Sequence, residues 1–504
     1  MEDTVRKRYF FKLLTNFTAL LLGILSVTII PRALGVALYG DYNFLLTSLL
    51  AILVFLDFNT STAFYTYSAR DTKADIKEFT FIIVFLLVFF IFITGIVLLV
   101  SVDFYKYIFP GQKPDNIILM TILVTTIIIV RVISGYSDAK ALTVTTEKIN
   151  VIVRIITFII ILILFLSLNL NLQTYVLTQI ISFFVIASCA VCCINRKILI
   201  KNIIKFNNID FRFFVDYWYR FSGPLFIYNI FGFIIAFFDR WILQFASGSR
   251  EQGYYSFAFQ IGTVINTLVV SFTPIFRREV VKYNYINDVG NIKRLFVKYT
   301  YFFFTLSTFL SLIMFFLARQ ILKLAGSDFK DALLPFLIIC FYPMYQVYGH
   351  MCGEMFIATE RTKIYTKLGM FTNTIGLLAA YFILAPKKLL IPGLELGAIG
   401  LALKMVLVNI FHIHILLYFC CLIFNLNFFD FIIHQLKVLS LFFIIGCLSY
   451  YISYNTFINN DILNIITFIF LFSLIIITLV LKKSTIVGIT IDKEFVYSFI
   501  NKIF

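Results

Sequence analysis

Charge is scarce in this chain: Asp, Glu, Lys and Arg together make up 13% of its 504 residues, about half the share usual in soluble domains. That scarcity excludes an ordinary solvated surface. Histidine occurs four times and tryptophan twice, and the histidines do not gather with carboxylates. His412 and His414 are separated by one residue, so on a helix they face different directions and make a poor metal pair. The eight cysteines, among them Cys192, Cys193, Cys420 and Cys421, lie mostly in apolar runs without ligand spacing and read as packing residues. Phosphate loops, dinucleotide fingerprints and nucleophile elbows are missing. The polar segments between apolar runs are too short to carry catalysis, so no enzyme and no bound cofactor is expected.

Apolar sequence is abundant. Hydrophobic residues reach 61%, and about fourteen runs approach the roughly 20 residues that span a bilayer as a helix. The runs are too long and too continuous for barrel strands. The expected fold class is therefore an all-α polytopic membrane protein. The opening MEDTVRKRYF precedes a run of about 20 residues and reads as the flank of a first span, not as a cleaved signal. Most of the 42 Lys and Arg fall in alternate inter-helix segments, on the side assigned to the amino terminus. That is the positive-inside pattern, and an even span count puts both termini in the cytoplasm. The net charge of +16 then sets topology and meets anionic headgroups; nucleic acid is not an expected partner.

An internal echo recurs at an offset of 213 residues. GDYNF at Gly40 to Phe44 returns as the pattern G-x-Y-x-F in GYYSF at Gly253 to Phe257. TEK at Thr146 to Lys148 returns as TER at Thr359 to Arg361, Arg154 matches Lys367, Asn16 matches Asn229, and Thr60 matches Thr273. Several pairs at one offset point to duplication. The expected organisation is a six-helix lobe over 1–205, a linker over 206–220, a second six-helix lobe over 221–424, and a two-helix tail over 425–504. Lobes with an even number of spans repeat in the same orientation, and two such lobes enclose a cleft that opens to either side, the geometry of a transporter. The linker FNNIDFRFFVDYWYR interleaves aromatics with Asp210, Arg212, Asp216 and Arg220, as an interfacial segment does; a merely solvated linker fits the same composition. Tyr105, Tyr107, Trp218 and Trp241 fit interface anchoring.

PRALGVALYGDYNFLLTSLLA, from Pro31 to Ala51, resembles the first loop and second helix of the polysaccharide-exporter family, and DRWILQFASGSREQGYYSFAFQIGTVINTLVVSFTPIF, from Asp239 to Phe276, resembles its seventh and eighth helices. These are Wzx-type flippases of the multidrug/oligosaccharidyl-lipid/polysaccharide (MOP) exporter superfamily. The resemblance implies movement of an undecaprenyl-pyrophosphate-linked oligosaccharide, an O-antigen, capsule or similar repeat unit, across a bacterial inner membrane by alternating access. Its partners would be that glycan, the membrane lipids and other polysaccharide-assembly proteins. A lipid II flippase and a cation/drug antiporter of the same superfamily are the alternatives.

Such a substrate needs fixed cations, and an Arg or Lys inside a span costs on the order of 2.5 to 3.5 kcal/mol on insertion scales, which makes each one a functional candidate. The expected inner group is Arg131, Arg154 and Lys367, which would capture the diphosphate; from the same positions they could instead snorkel to headgroups. Arg240 and Lys404, nearer the outer halves of their helices, would hold it after inversion, Lys404 being also compatible with an outer-surface place. In GPLFIYNIFGFIIAFFDRWILQF, Asp239 and Arg240 project about 100° apart. Arg240 is therefore assigned to substrate and Asp239 to orienting or coupling. Asp57, and the pair His350 and Glu354, four residues apart on one helix face, complete the candidates for H+ or Na+ coupling, with structural hydrogen bonding as their alternative role. Pro224, Pro274, Pro335 and Pro343 are the expected bends.

Overall fold

A computed structural model describes residues 5–69, 76–195, 211–221, 223–456 and 461–482. The start of the linker, 206–210, and the terminus beyond Lys482 lie outside these. In chain order the helices are α1 (Val5–Leu56), α2 (Thr60–Ser68), α3 (Ile76–Ser101), α4 (Tyr105–Ile108), α5 (Pro114–Ala139), α6 (Thr143–Leu166), α7 (Leu172–Asn195), α8 (Phe211–Phe221) and α9 (Gly223–Tyr285). They continue as α10 (Val289–Phe316), α11 (Ala318–Ala325), α12 (Leu333–Ile339), α13 (Tyr342–Ala358), α14 (Thr362–Leu384), α15 (Gly397–Phe424), α16 (Phe428–Thr456) and α17 (Asp461–Lys482).

Eleven helical segments among the described residues are long and apolar enough to cross a membrane. Two of them carry two crossings each. Phe10–Leu56 and Ile230–Tyr285 run for 47 and 56 residues, about 70 and 84 Å at 1.5 Å per residue, and each is interrupted by one glycine. Gly35 (φ 73°, ψ 169°) breaks α1 and Gly248 (φ 79°, ψ −172°) breaks α9. Both lie in backbone territory that only glycine enters without strain. With the shorter apolar helix Leu463–Leu479, the apolar helices of the described residues come close to the fourteen runs of the sequence.

The chain divides into two compact units. One holds the residues up to Gly253 together with Ala380–Gly397; the other holds Tyr254–Ala379 and the residues from Ala398 onward. In the first unit α1 packs on α5 and α6, and α7 closes against α5 and α6. The end of the linker forms α8, whose Phe213, Phe214 and Tyr217 rings meet Tyr67 and Phe81, while the Trp218 indole donates to the Phe58 carbonyl at 2.9 Å. Phe211, Val215 and Tyr219 remain exposed along its other side. Trp241 likewise donates at 2.8 Å to the carbonyl of Tyr107 in the short helix α4.

The second unit is built on aromatic packing of α10, α13, α15, α16 and α17, with Met344, Val347, Tyr348, Met351, Cys352 and Phe356 fully buried in α13. The tail helices join this core: Phe309 of α10 stacks on Phe472 of α17 at 5.4 Å. The apolar stretch 333–358 is broken as a helix at Cys340 and Phe341, just ahead of Pro343 in the first turn of α13, as the steric demands of proline dictate. Pro274, by contrast, sits inside uninterrupted helix.

Helix α10 begins at Asp288, whose side chain accepts from the Asn291 amide at 3.0 Å. The Asn291 backbone and side-chain N–H groups hold the Asp288 carboxyl below its ordinary value. Its contribution to the helix start is therefore present above the unfolded carboxyl value and lost as pH falls through the lowered one. Asp288→Asn should lower the melting temperature at neutral pH and leave it nearly unchanged in strong acid.

The duplication is visible in backbone form. The interrupting glycines, Gly35 and Gly248, are 213 residues apart, the offset of the sequence echo. The TEK and TER matches are corrected, however. Ala141 (φ 60°) and Glu360 (φ 59°) end α5 and α13 in the same way, with Leu142 N–H donating to Ser137 O and Arg361 N–H to Phe356 O, each at 2.8 Å. At this turn equivalent residues are 219 apart, so Thr359, Glu360 and Arg361 lie in the turn while Thr146, Glu147 and Lys148 lie in helix α6. Six added residues shift the register between α9 and α14, and Arg154 and Lys367 are not equivalent by that turn.

Candidate functional site

Within the first unit, Asp239 is buried in the first half of α9 and Arg240 beside it is half-buried. Arg240 lies within electrostatic reach of Tyr39, a buried phenol of α1. Tyr42 and Tyr175 pack edge to face at 5.2 Å in the same region, and Gln179 donates to the Tyr175 hydroxyl at 3.4 Å. Arg240 thus lies in electrostatic range of a group of buried phenols.

Of the inner cations, Arg131 and Arg154 are exposed on α5 and α6, Arg131 within electrostatic range of Asp57 and Arg154 within range of Glu147. Asp57 itself accepts from the Ser61 amide through both oxygens at 3.3 Å. That contact caps the start of α2, a structural use of the carboxylate.

In the second unit, Lys367 is exposed on α14, and Lys404 of α15 is only 3% exposed. Lys404 packs at Gly376 of α14, where a methyl group would stand 3.8 Å from Cε and 3.9 Å from Nζ. The outer-surface reading of Lys404 does not hold; the helix begins at Gly397, and its first two turns are buried. Glu354 is buried, and its two oxygens accept from Arg277 of α9, Oε2 from Nε and Oε1 from Nη2 at 2.8 Å. The carboxylate expected to work with His350 is thus clamped to Arg277, with His350 in electrostatic range one turn away.

Three charge arrangements escaped sequence reasoning. Glu78 of α3 pairs with Lys140 at 2.6 Å, with side-chain exposures of 6% and 1%, and accepts from the Tyr136 hydroxyl at 3.1 Å. Arg8 donates to Thr143 Oγ1 at 2.9 Å and to the Asp138 carbonyl at 2.7 Å, while Lys12 pairs with the Asp138 carboxylate. Arg277 is the third. All three lie at span edges, where a charged residue reads as an ordinary headgroup contact, so no sequence signal separated them from the surface.

At the Gly35 end of the first unit, backbone meets backbone. A Cβ on Gly40 would lie 1.9 Å from the Ser249 carbonyl oxygen, and one on Gly253 would lie 2.3 Å from the Val36 carbonyl oxygen. These contacts are reciprocal, since Val36 and Ser249, like Gly40 and Gly253, are 213 apart. Asp41 Oδ1 accepts from Gln112 at 2.6 Å and from Ser249 at 2.5 Å, and Gln244 donates to Ser249 at 3.0 Å, closing the seam.

Comparison with known proteins agrees with this architecture. A multidrug-resistance MATE transporter of the MOP superfamily in an inward-facing state is similar with a TM-score of 0.64 at 14% identity, over 82% of this chain and 94% of that one. The lipid II flippase MurJ, inward closed, is similar with a TM-score of 0.63 at 16% identity, over 94% of this chain and 99% of that one. A MOP-superfamily transporter from Pyrococcus furiosus, described as having a binding pocket of reversed polarity, gives 0.54 at 12% identity over 84% and 99%. At these identities the likeness is one of fold. Among curated proteins, none matches. The family model described as polysaccharide biosynthesis protein matches residues 5–276, more than half of the chain, and the chain thus belongs to the polysaccharide biosynthesis protein family, a multi-pass membrane protein with the fold of MOP-superfamily transporters.

Proposed function

We propose that the chain is a flippase that moves an undecaprenyl-diphosphate-linked oligosaccharide from the cytoplasmic to the outer leaflet of a bacterial inner membrane by alternating access, both termini being cytoplasmic. The observation that carries the reading is the family match together with cations held inside spans, Arg240 in electrostatic range of the buried Tyr39 and Lys404 buried on α15. A diphosphate cannot enter hydrocarbon unaided, and planar guanidinium groups bind its oxygens two at a time. Arg131, Arg154 and Lys367 would meet the headgroup first. Asp239 would orient a neighbouring cation or take part in H+ or Na+ coupling, and assembly proteins would receive the product.

The likeness to a lipid II flippase over 94% of the chain favours a second reading, in which the glycan is a peptidoglycan precursor; its headgroup is the same diphosphate. Reconstitution with a fluorescent undecaprenyl-diphosphate glycan separates working from idle variants. The wild type is expected to equilibrate the lipid between leaflets and Arg240→Ala to slow it about tenfold or more, the value of a lost charge-assisted contact. Equal rates would remove Arg240 from the site, and an inactive wild type that exports a cationic dye would make the chain an antiporter.

A further inference from the structure

Arg277 stands at the end of a span, followed by Arg278 and Lys282, where a basic residue ordinarily serves only topology. Its setting is different from theirs. Glu354, its partner, belongs to α13 and is flanked there by Met351, Cys352, Met355 and Phe356, all fully buried. A carboxylate in such surroundings requires a cation. A flexible lysine would satisfy the charge. Instead a guanidinium is gripped at Nε and Nη2 by both carboxylate oxygens, which fixes the plane of the group as well as its position.

That grip uses one edge of the fork. Arginine has five N–H donors, and the edge formed by Nη1 and the outer hydrogen of Nη2 lies away from the carboxylate. The Arg277 side chain is 47% exposed against 10% for Glu354. The donors of that edge are therefore oriented from behind by Glu354, on a side chain that is about half exposed. Arg278 and Lys282 are exposed on the same segment with one acid, Glu279, so the neighbourhood stays positive after Glu354 is neutralised.

We infer that Arg277 is an anion-binding residue that takes two oxygens of the lipid's diphosphate through its outer edge, and that Glu354 is its positioning residue. The inference rests on the proposed function, and the same chemistry would accept the phosphate of an ordinary anionic lipid. A diphosphate presents two phosphoryl groups, of which Arg277 would hold one while the other remains for a second cation.

The test is binding of undecaprenyl diphosphate to the purified full chain, with undecaprenol and phosphatidylglycerol as controls, on wild type, Arg277→Ala, and the exchanged pair Arg277→Glu with Glu354→Arg. The exchange keeps the ion pair and places a carboxylate in front. It is expected to melt near the wild type yet bind the diphosphate at least about tenfold more weakly, as is Arg277→Ala. Wild-type affinity in the exchanged protein would show a clamp with no ligand role and overturn the inference, leaving the proposed function intact. Equal wild-type affinity for the diphosphate and undecaprenol would overturn the proposed function and the inference with it. A loss confined to phosphatidylglycerol would also overturn it. Should the exchanged protein not fold, Arg277→Lys decides: it retains charge against Glu354 but has no fork, and unchanged diphosphate affinity would overturn the assignment.

Discussion

Gly40→Ala is expected to abolish the monodisperse folded protein. The added methyl would sit 1.9 Å from the Ser249 carbonyl oxygen and 2.8 Å from the Gly253 nitrogen. Both are backbone atoms, so no rotamer change relieves the overlap; two helix ends must separate, and the Asp41, Gln112 and Ser249 hydrogen bonds are strained with them. Gly253→Ala meets the Val36 carbonyl oxygen at 2.3 Å and should behave alike. Gly35→Ala and Gly248→Ala meet no atom within 4 Å, but their positive φ costs on the order of 1–3 kcal/mol. Gly135→Ala, helical and without neighbours, should gain stability slightly. Size-exclusion profiles and melting temperatures of these five variants in one detergent check the order. A normally folded Gly40→Ala would show that the reciprocal seam is not part of the structure.

The second large effect concerns Glu78 and Lys140. Both side chains are nearly inaccessible and lie 2.6 Å apart, so removing either takes the ion-pair partner from a buried charge. Lys140→Met or Glu78→Leu alone should lose on the order of 3–5 kcal/mol. The double variant removes both charges together, leaves the Tyr136 hydroxyl without its acceptor, and should recover most of that loss. Strong coupling in a double-mutant cycle is the expected signature. Additive losses would mean that the two side chains stabilise the fold separately.

Arg277 shows why some of this was hidden from sequence and some was not. The spans were legible because a bilayer demands long apolar runs, and the repeat was legible at G-x-Y-x-F because close backbone approach and a helix break constrain residue choice tightly. TEK and TER misled because three residues match easily, while the turn they were set against is defined by φ and by hydrogen bonds, at a spacing of 219. Arg240 stood out as a cation surrounded by apolar sequence. Arg277, Glu78 and Lys140 did not, because burial at a span edge depends on which helix lies opposite, and pairings such as α9 with α13 or α3 with the end of α5 are tertiary facts. Sequence left Lys404 open to an outer-surface place, and its burial beside Gly376 of α14 removed that reading.

Proteoliposomes carrying a fluorescent glycan linked either to undecaprenyl diphosphate or to uncharged undecaprenol test the account most directly, through the fraction of label reached by an impermeant quencher over time. The diphosphate form should become fully accessible only in vesicles containing the protein, while the uncharged form gains nothing from it. Equal acceleration of both lipids would contradict a transport site built on cations.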